Sequence, residues 1–253
     1  MPLSESEAII LRTYPLGEGD RIVSFLSRTE GRLRGVARGA RRPKSRFGAS
    51  LEPLSHVRIW FFERETRPLA RISQCELLES FWEAQRAYNA QVAFGLLAEI
   101  SESILPEREP SDAFFRLLLA TCRAVKATKQ VALPLAYFAL WTVRLGGWLP
   151  SLDQCARCGR SLLAQPAMES WAGGEGAGIY CRDCRPEPAR NVSAEALACA
   201  RTMLRESLEK LGQAGGCRAE IELANYALDW IELQAEKKLA TRSMLQLARG
   251  SEL

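Results

Sequence analysis

The 253-residue sequence predicts an α+β protein of several domains, in which a small β-barrel or sandwich precedes an all-α domain with a cysteine-rich insert. Three observations predict this class. The first 80 residues contain short apolar segments separated by glycine and proline. From about Phe81 the apolar residues follow a helical period instead. Two C-x-x-C pairs then interrupt the helical part.

Five β-strands are predicted in the N-terminal part. Gly17 and Gly19 supply a turn between the first two strands, and Gly31 precedes the third. Short strands with such connections are typical of a small barrel or sandwich. The predicted strands span residues 7–14, 21–27, 32–38, 55–63 and 69–76.

Five helices are predicted after the strands. The first ends before Pro106, because the residue that precedes a proline is disfavoured in a helix. Ser111 can cap the second helix, and Gly146-Gly147 can end the third in a left-handed conformation. The predicted helices span 85–105, a segment from Ser111 through Leu119, 131–145, a segment from Ser193 through Leu208, and 218–248.

The predicted domain boundaries follow these changes of pattern. The helical domain is divided in the sequence by the insert that carries the C-x-x-C pairs. The predicted segments are the barrel over 1–80, the first helical part over 81–150, the insert over 151–188 and the second helical part over 189–253.

Several functional classes are excluded by what the sequence lacks. Its single histidine, His56, rules out three-histidine zinc sites and the H-E-x-x-H metalloproteases. The sequence contains neither a P-loop nor a G-x-G-x-x-G motif, so no nucleotide cofactor is predicted. No catalytic residue is assigned, and we expect a protein that is not an enzyme.

The sequence also gives an expectation for the compartment. The longest apolar stretch, Leu133 to Val143, is shorter than the roughly 18 residues of a membrane span. The N-terminus lacks the basic and long apolar regions of a secretion signal. We therefore expect a cytoplasmic protein that makes no membrane contact.

Four cysteines have the spacing of a structural zinc site. Cys155 and Cys158 form one pair, Cys181 and Cys184 the other, with residues 159–180 between them. Four thiolates can surround one Zn²⁺ tetrahedrally and leave no position for a reacting water, which favours a structural ion. A site that has lost its metal, or a redox-active pair, is the alternative.

The most basic region of the sequence lies in the N-terminal part. Outside residues 1–80 the acidic and basic residues are equal in number, so the positive charge is local. A solvated surface is one interpretation, but so dense a cluster of cations favours a phosphate backbone as its partner, and Phe47 could stack on a base. The predicted DNA contacts are Arg32, Arg34, Arg38, Arg41, Arg42, Lys44, Arg46 and Phe47.

Several motifs, taken in order, resemble one family. They are Glu7-Ala8-Ile9-Ile10-Leu11, the segment Gly17 to Val23, the segment Gly31 to Arg42, and Gly147-Trp148-Leu149-Pro150 ahead of the first cysteine pair. On these motifs the sequence resembles the bacterial RecO family of DNA repair and recombination mediators over nearly its whole length.

The resemblance implies an N-terminal OB-fold, a helical domain and a zinc-finger insert. It also implies binding of single- and double-stranded DNA, annealing of complementary strands, and assistance to RecA on DNA coated by the single-stranded-DNA-binding protein, together with RecR. The helical domain would receive the C-terminal tail of the single-stranded-DNA-binding protein, and the protein would act in the cytoplasm at the nucleoid.

Two other functions remain open from the residues alone. The first is a zinc-stapled protein-interaction scaffold that does not bind DNA directly. The second is a zinc enzyme acting on nucleic acid. The second is disfavoured because Val57 and Arg58 follow His56, so the His-x-Glu of a zinc deaminase is missing.

Overall fold

The computed structural model describes residues 3–63, 68–163, 170–173, 178–214 and 219–245. Packing divides the described residues into two compact units. One contains the chain up to Lys129 and the segment that begins at Leu239, and the other contains Gln130–Lys238. This grouping places the first two helices with the barrel, whereas the predicted boundaries place them in the helical domain. The boundaries predicted from the sequence stay a prediction.

The first unit contains a closed five-stranded barrel with the strand order β1-β2-β3-β5-β4. All its neighbouring strands are antiparallel except β3 and β5, which are parallel. This is the arrangement of an OB-fold, so the predicted fold class is confirmed. The strands are β1 Leu3–Leu16, β2 Asp20–Ser27, β3 Gly31–Ala37, β4 His56–Phe62 and β5 Ala70–Glu79.

Side chains at every second position of the strands point into the barrel and fill it. Val23 and Phe25 of β2 point inward, and the ring of Phe25 meets that of Phe61 edge-on at 5.5 Å between centroids. Residues between these inward positions face the outside of the barrel. Gly35 allows β3 to approach β5, because a Cβ there would lie 2.9 Å from the Ile72 side chain.

Two helices and a returning segment complete the first unit. They are α1 Tyr88–Ile104 and α2 Asp112–Thr128. The Ser111 side chain accepts a hydrogen bond from the Phe114 N–H, which confirms the predicted cap. The buried carboxylate of Glu99 accepts hydrogen bonds from the N–H groups of Ala240 and Thr241, both at 2.9 Å, and so holds the returning segment against α1.

Among its described residues, the second unit contains four α-helices and a small sheet. Helices α3 and α6 pack against each other most extensively, and α4 and α5 lie beside them. The sheet has the strand order β7-β6-β8. These elements are α3 Ala132–Leu145, β6 Ser170–Gly173, β7 Gly178–Cys181, β8 Ala189–Val192, α4 Ala194–Met203, α5 Leu208–Gln213 and α6 Glu220–Gln234. None of the helices that the structure describes is long and apolar enough to cross a membrane.

Two helix predictions in this unit are wrong in their extent. The helix predicted from Ser193 through Leu208 is two helices, because the Ser207 side chain caps a new helix by accepting from the Lys210 N–H. The helix predicted to reach residue 248 ends at Gln234. Glu236 there adopts a left-handed φ of 49°, which ends the helix although it is not glycine.

Candidate metal centre and nucleic-acid interface

The four predicted cysteine ligands lie together at one point of the second unit. The sulfur atoms of Cys155, Cys158, Cys181 and Cys184 all lie within 4.8 Å of one another. Those of Cys158 and Cys181 are 3.8 Å apart. A zinc ion with Zn–S bonds of about 2.3 Å has ligand sulfurs about 3.8 Å apart at the corners of a tetrahedron. The cluster therefore fits one tetrahedral metal ion.

Backbone turns bring the two cysteine pairs together. In the first knuckle, residues 155–160, the Cys155 N–H donates to the Arg160 carbonyl and the Gly159 N–H to the Cys155 carbonyl, each at 2.9 Å. Gly159 has a φ of 69°, which favours glycine. The second knuckle, residues 181–185, follows β7, and the Ala156 N–H donates to the Ile179 carbonyl at 2.8 Å. The chain thus holds the sulfurs in place through its own hydrogen bonds.

The electrostatics of the cluster favour a bound cation. Burial raises the pKa of the Cys155 thiol, but backbone N–H groups, including those of Cys158 and Cys181, outweigh burial and lower it to about 6. Burial and hydrogen bonds to the other cysteines, with the charge of Cys155, raise the pKa of Cys184 to about 12. Four thiolates therefore do not form together unless a metal ion binds, because coordination deprotonates each thiol.

The arginines beside the cysteines are mostly engaged by neighbouring side chains. Arg160 of the first knuckle and Asp183 of the second form an ion pair of 2.7 Å. The guanidinium of Arg157 lies 6.0 Å from the Tyr180 ring centroid, within cation–π range. Arg185 lies 4.6 Å from the ring centroid of Trp171. These contacts join the two knuckles to each other and to the sheet.

The basic loop, residues 38–46, follows β3 and carries five exposed cations. Arg41 fixes the loop against the β1–β2 turn: its Nη1 donates to the Gly17 carbonyl at 2.6 Å, and its backbone N–H to the Gly19 carbonyl at 3.0 Å. Within the part of the chain that the structure describes, Arg38, Arg42 and Lys44 have no carboxylate partner. The loop therefore presents positive charge to solvent.

Arg32 and Arg34 differ from the loop cations in having partners. The Nε of Arg32 donates to the Leu105 carbonyl at 2.8 Å, and its side chain is only 16% exposed. The Nε of Arg34 lies 3.0 Å from Glu107, which also contacts Arg32 at 3.4 Å. The two arginines share the outer face of β3, whereas Arg38 begins the turn after the strand. Their contact with DNA stays a prediction, and Arg32 is the less accessible of the two.

The proposed stacking role of Phe47 is wrong. Its side chain is 3% exposed and belongs to the apolar core of the barrel. A buried ring cannot offer a face to a base. Phe47 instead anchors the basic loop, and Arg46 lies over its ring at 5.0 Å.

Glu107 is the residue of this surface that the sequence reasoning missed. It lies 75 positions from Arg32 in the sequence, in the connection between α1 and α2. No local pattern could reveal the contact, because it forms only when that connection returns to the barrel.

A cavity of about 510 Å³ lies in the second unit beside α6. Tyr226, Trp230 and Leu233 line its apolar side. Its charged lining residues are three cations and three carboxylates: Arg190, Lys237, Lys238, Asp229, Glu232 and Glu236. No sequence motif marks these residues as a pocket for a partner tail.

Two family models match the chain. Residues 1–81 match the model described as Recombination protein O N terminal, and residues 85–243 match Recombination protein O C terminal. Together the two models cover nearly the whole sequence, with their junction between the barrel and the helices.

Similar curated proteins share one description, DNA repair protein RecO. One from Koribacter versatilis is 38% identical over 248 residues, covering 96% of this chain and 98% of the relative. Another, from Frankia casuarinae, is 31% identical over 251 residues, covering 98% of this chain and all of the relative. A third, from a Nocardioides species, is 37% identical over 199 residues, 78% of this chain and 80% of the relative.

Proposed function

Because the chain belongs to the RecO family of DNA repair proteins, we propose that it is a recombination mediator that binds single- and double-stranded DNA through its basic loop. One observation carries this proposal. Arg38, Arg42 and Lys44 are exposed and have no carboxylate partner among the described residues. A phosphate backbone supplies the missing anions, and release of its counterions favours binding.

Annealing of complementary strands follows from the same charge. Two strands repel each other through their phosphates, and a cationic surface that binds both reduces this repulsion. Phosphate contacts carry no sequence information, so base pairing between the strands decides which ones anneal. This role requires no covalent chemistry, and we propose that the protein is not an enzyme.

The proposal also includes the protein partners that the family resemblance implies. We propose that the protein acts with RecR and helps RecA to load on DNA coated by the single-stranded-DNA-binding protein, in the cytoplasm at the nucleoid. The C-terminal tail of the coating protein is acidic and apolar. The cavity beside α6, with Trp230, Leu233 and Lys237, is our candidate for receiving it. Two of the carboxylates that line the cavity, Asp229 and Glu232, are paired with Arg190 and Lys238.

We further propose that Cys155, Cys158, Cys181 and Cys184 bind one structural zinc ion. Support comes from the proximity of the four sulfurs and from the chemistry of four thiol donors. Such an ion would stabilise the fold of both knuckles without an open coordination position. Its contribution is therefore to stability rather than to a reaction.

The proposal is tested with the variant R38A/R42A/K44A. We expect its affinity for a labelled single strand and for a duplex to fall at least tenfold in fluorescence anisotropy at low salt, because three phosphate contacts are lost. Annealing of complementary strands coated by the single-stranded-DNA-binding protein should slow in parallel. The matched control is R86A/R116A/K210A, which removes the same charge from exposed helical positions.

If R38A/R42A/K44A binds DNA with the affinity of the wild-type protein, the DNA site lies outside the basic loop. Weak, salt-insensitive binding by the wild-type protein itself would favour the interaction scaffold instead. Equal losses in the loop and control variants would mean that total charge, and not the loop, governs binding.

A further inference from the structure

An apolar row crosses three strands of the barrel beside the basic loop. Tyr14 of β1 is the Cα partner of Ile22 in β2, and Ile22 is the partner of Val36 in β3. Cross-strand partners point to the same side of a sheet. The neighbouring positions Val23 and Ala37 belong to the barrel core, so these three side chains face outward.

None of the residues that the structure describes covers this row completely. Tyr14 is 43% exposed, and Ile22 and Val36 are partly exposed. By contrast, Ser24, the next outward residue of β2 after Ile22, is completely buried. We call Tyr14, Ile22 and Val36 the platform, since they form an accessible apolar surface near the end of the barrel.

Cations border the platform. Arg34 lies two residues before Val36 on the same face of β3, and the basic loop begins two residues after it. Arg71 of β5 is exposed and is the Cα partner of Val36 on the other side. Two acidic residues lie at the turn between β1 and β2: Asp20 accepts a hydrogen bond from the Gly39 N–H at 2.8 Å, and Glu18 is exposed.

The position of Tyr14 relative to the loop follows from two hydrogen bonds. Arg41 bonds to the carbonyls of Gly17 and Gly19 in the turn that joins β1 to β2. This turn lies at the end of the β1–β2 pair that contains Tyr14. The ring of Tyr14 and the cations of the loop therefore occupy the same end of the barrel.

We propose that the platform is the base-contacting part of the DNA site, where the bases of a single strand stack on Tyr14 and pack against Ile22 and Val36. Arg71 and the basic loop hold the phosphates of the same strand. The inference rests on the proposed function. It specifies that single-stranded DNA with its bases exposed is the substrate of this surface.

The chemistry of the surface favours this occupant. Single-strand sites combine a positive groove for the backbone with aromatic rings for the bases, and stacking tolerates any sequence. Trp60 is a poorer candidate for the same role, because its Nε1 donates to the Glu5 carboxylate at 2.9 Å, and that carboxylate repels phosphate. In a duplex the bases are stacked on one another and unavailable, so the platform should distinguish single strands from duplexes.

The test compares the variants Tyr14→Ser and Tyr14→Phe with the wild-type protein. Three probes of equal length are used: an oligo-dT strand, a strand of abasic residues, and a duplex. We expect Tyr14→Ser to weaken binding of the oligo-dT strand about tenfold, as for the loss of one stacked base. Affinity for the abasic strand and for the duplex, and the salt dependence, should stay at the wild-type level. Tyr14→Phe should restore binding of oligo-dT.

Each remaining outcome overturns the inference. If Tyr14→Ser binds oligo-dT with wild-type affinity, the platform does not contact the bases. The proposed function still stands in that case if R38A/R42A/K44A loses affinity for all three probes. If Tyr14→Ser loses affinity equally for all three probes, the substitution has changed the fold rather than removed a stacking contact. Unchanged DNA binding with weakened binding of RecR would make the platform a protein-docking surface.

Discussion

The basic loop and the two knuckles are both rich in arginine, but their cations have different environments. Around the cysteines, Arg160 pairs with Asp183, and Arg185 lies over the ring of Trp171. In the basic loop, Arg38 and Arg42 have no such partner within the described ranges. Arginine density in a sequence therefore locates positive charge, and the fold determines which cations remain available to another molecule.

The same contrast exists within the N-terminal arginine cluster itself. Arg32 and Arg34 share the carboxylate of Glu107, while the cations a few residues later have no carboxylate partner in the described part of the chain. The first two arginines tie β3 to the connection between α1 and α2. The later ones extend from a loop that Phe47 anchors in the barrel core.

The largest predicted effect concerns the metal centre. We expect Cys181→Ser to abolish zinc binding and to unfold the three-stranded sheet, because structural zinc contributes about 10 kcal/mol or more in zinc-finger peptides. Metal analysis and calorimetry check this. Cys199→Ala, which removes a buried cysteine outside the cluster, should retain the metal. The idea fails if Cys181→Ser keeps full metal content.

A smaller effect is predicted for Glu107→Gln. The substitution removes the negative charge that Arg34 and Arg32 both contact, so their guanidinium groups become available to phosphate. Affinity for single-stranded DNA at low salt should therefore rise about two- to fivefold. Stability should fall by at most about 1 kcal/mol, the range for exposed ion pairs. Anisotropy measures the gain, with Glu83→Gln as the control for loss of one exposed carboxylate. Unchanged or reduced affinity would show that these arginines do not contribute to the DNA surface.

The smallest effect concerns His56, whose Nε2 lies 3.2 Å from Glu7. Burial lowers the pKa of His56, and the charge of Arg123 lowers it further, while Glu7 and Glu79 raise it. A histidine whose pKa is lowered in the folded state binds a proton more readily in the unfolded chain, where its pKa is about 6.5. The fold therefore keeps its full stability above about pH 6.5 and loses stability as the pH falls below that value. The free energy of unfolding should therefore decline more steeply from about pH 7 to about pH 5 in the wild-type protein than in His56→Gln. Parallel curves would contradict this role.

Much of the fold could be predicted because it depends on local pattern. Short apolar segments between glycines and prolines located all five strands, and the Ser111 cap located the start of α2. The four cysteines were predictable because C-x-x-C spacing reflects the geometry of a knuckle and does not depend on the rest of the fold.

The remaining features depend on contacts that no local pattern contains. Phe47 lies in a polar, basic segment, and its burial follows from how the loop folds back over the barrel end. The pairing of Arg34 with Glu107 requires the connection after α1 to return to β3. The end of α6 depends on a left-handed Glu236, a conformation that sequence reasoning expects of glycine.

We propose that the arginines of the basic loop contact DNA because they are available to another molecule, and not because they are numerous. The direct test is the salt dependence of single-strand binding by R38A/R42A/K44A and by R157A/R160A/R185A, each after its metal content is verified. The loop variant should reduce the slope of log affinity against log salt by about 2, since each lost phosphate contact contributes about 0.7. The knuckle variant should keep the wild-type slope. Equal slopes in the two variants would contradict the account.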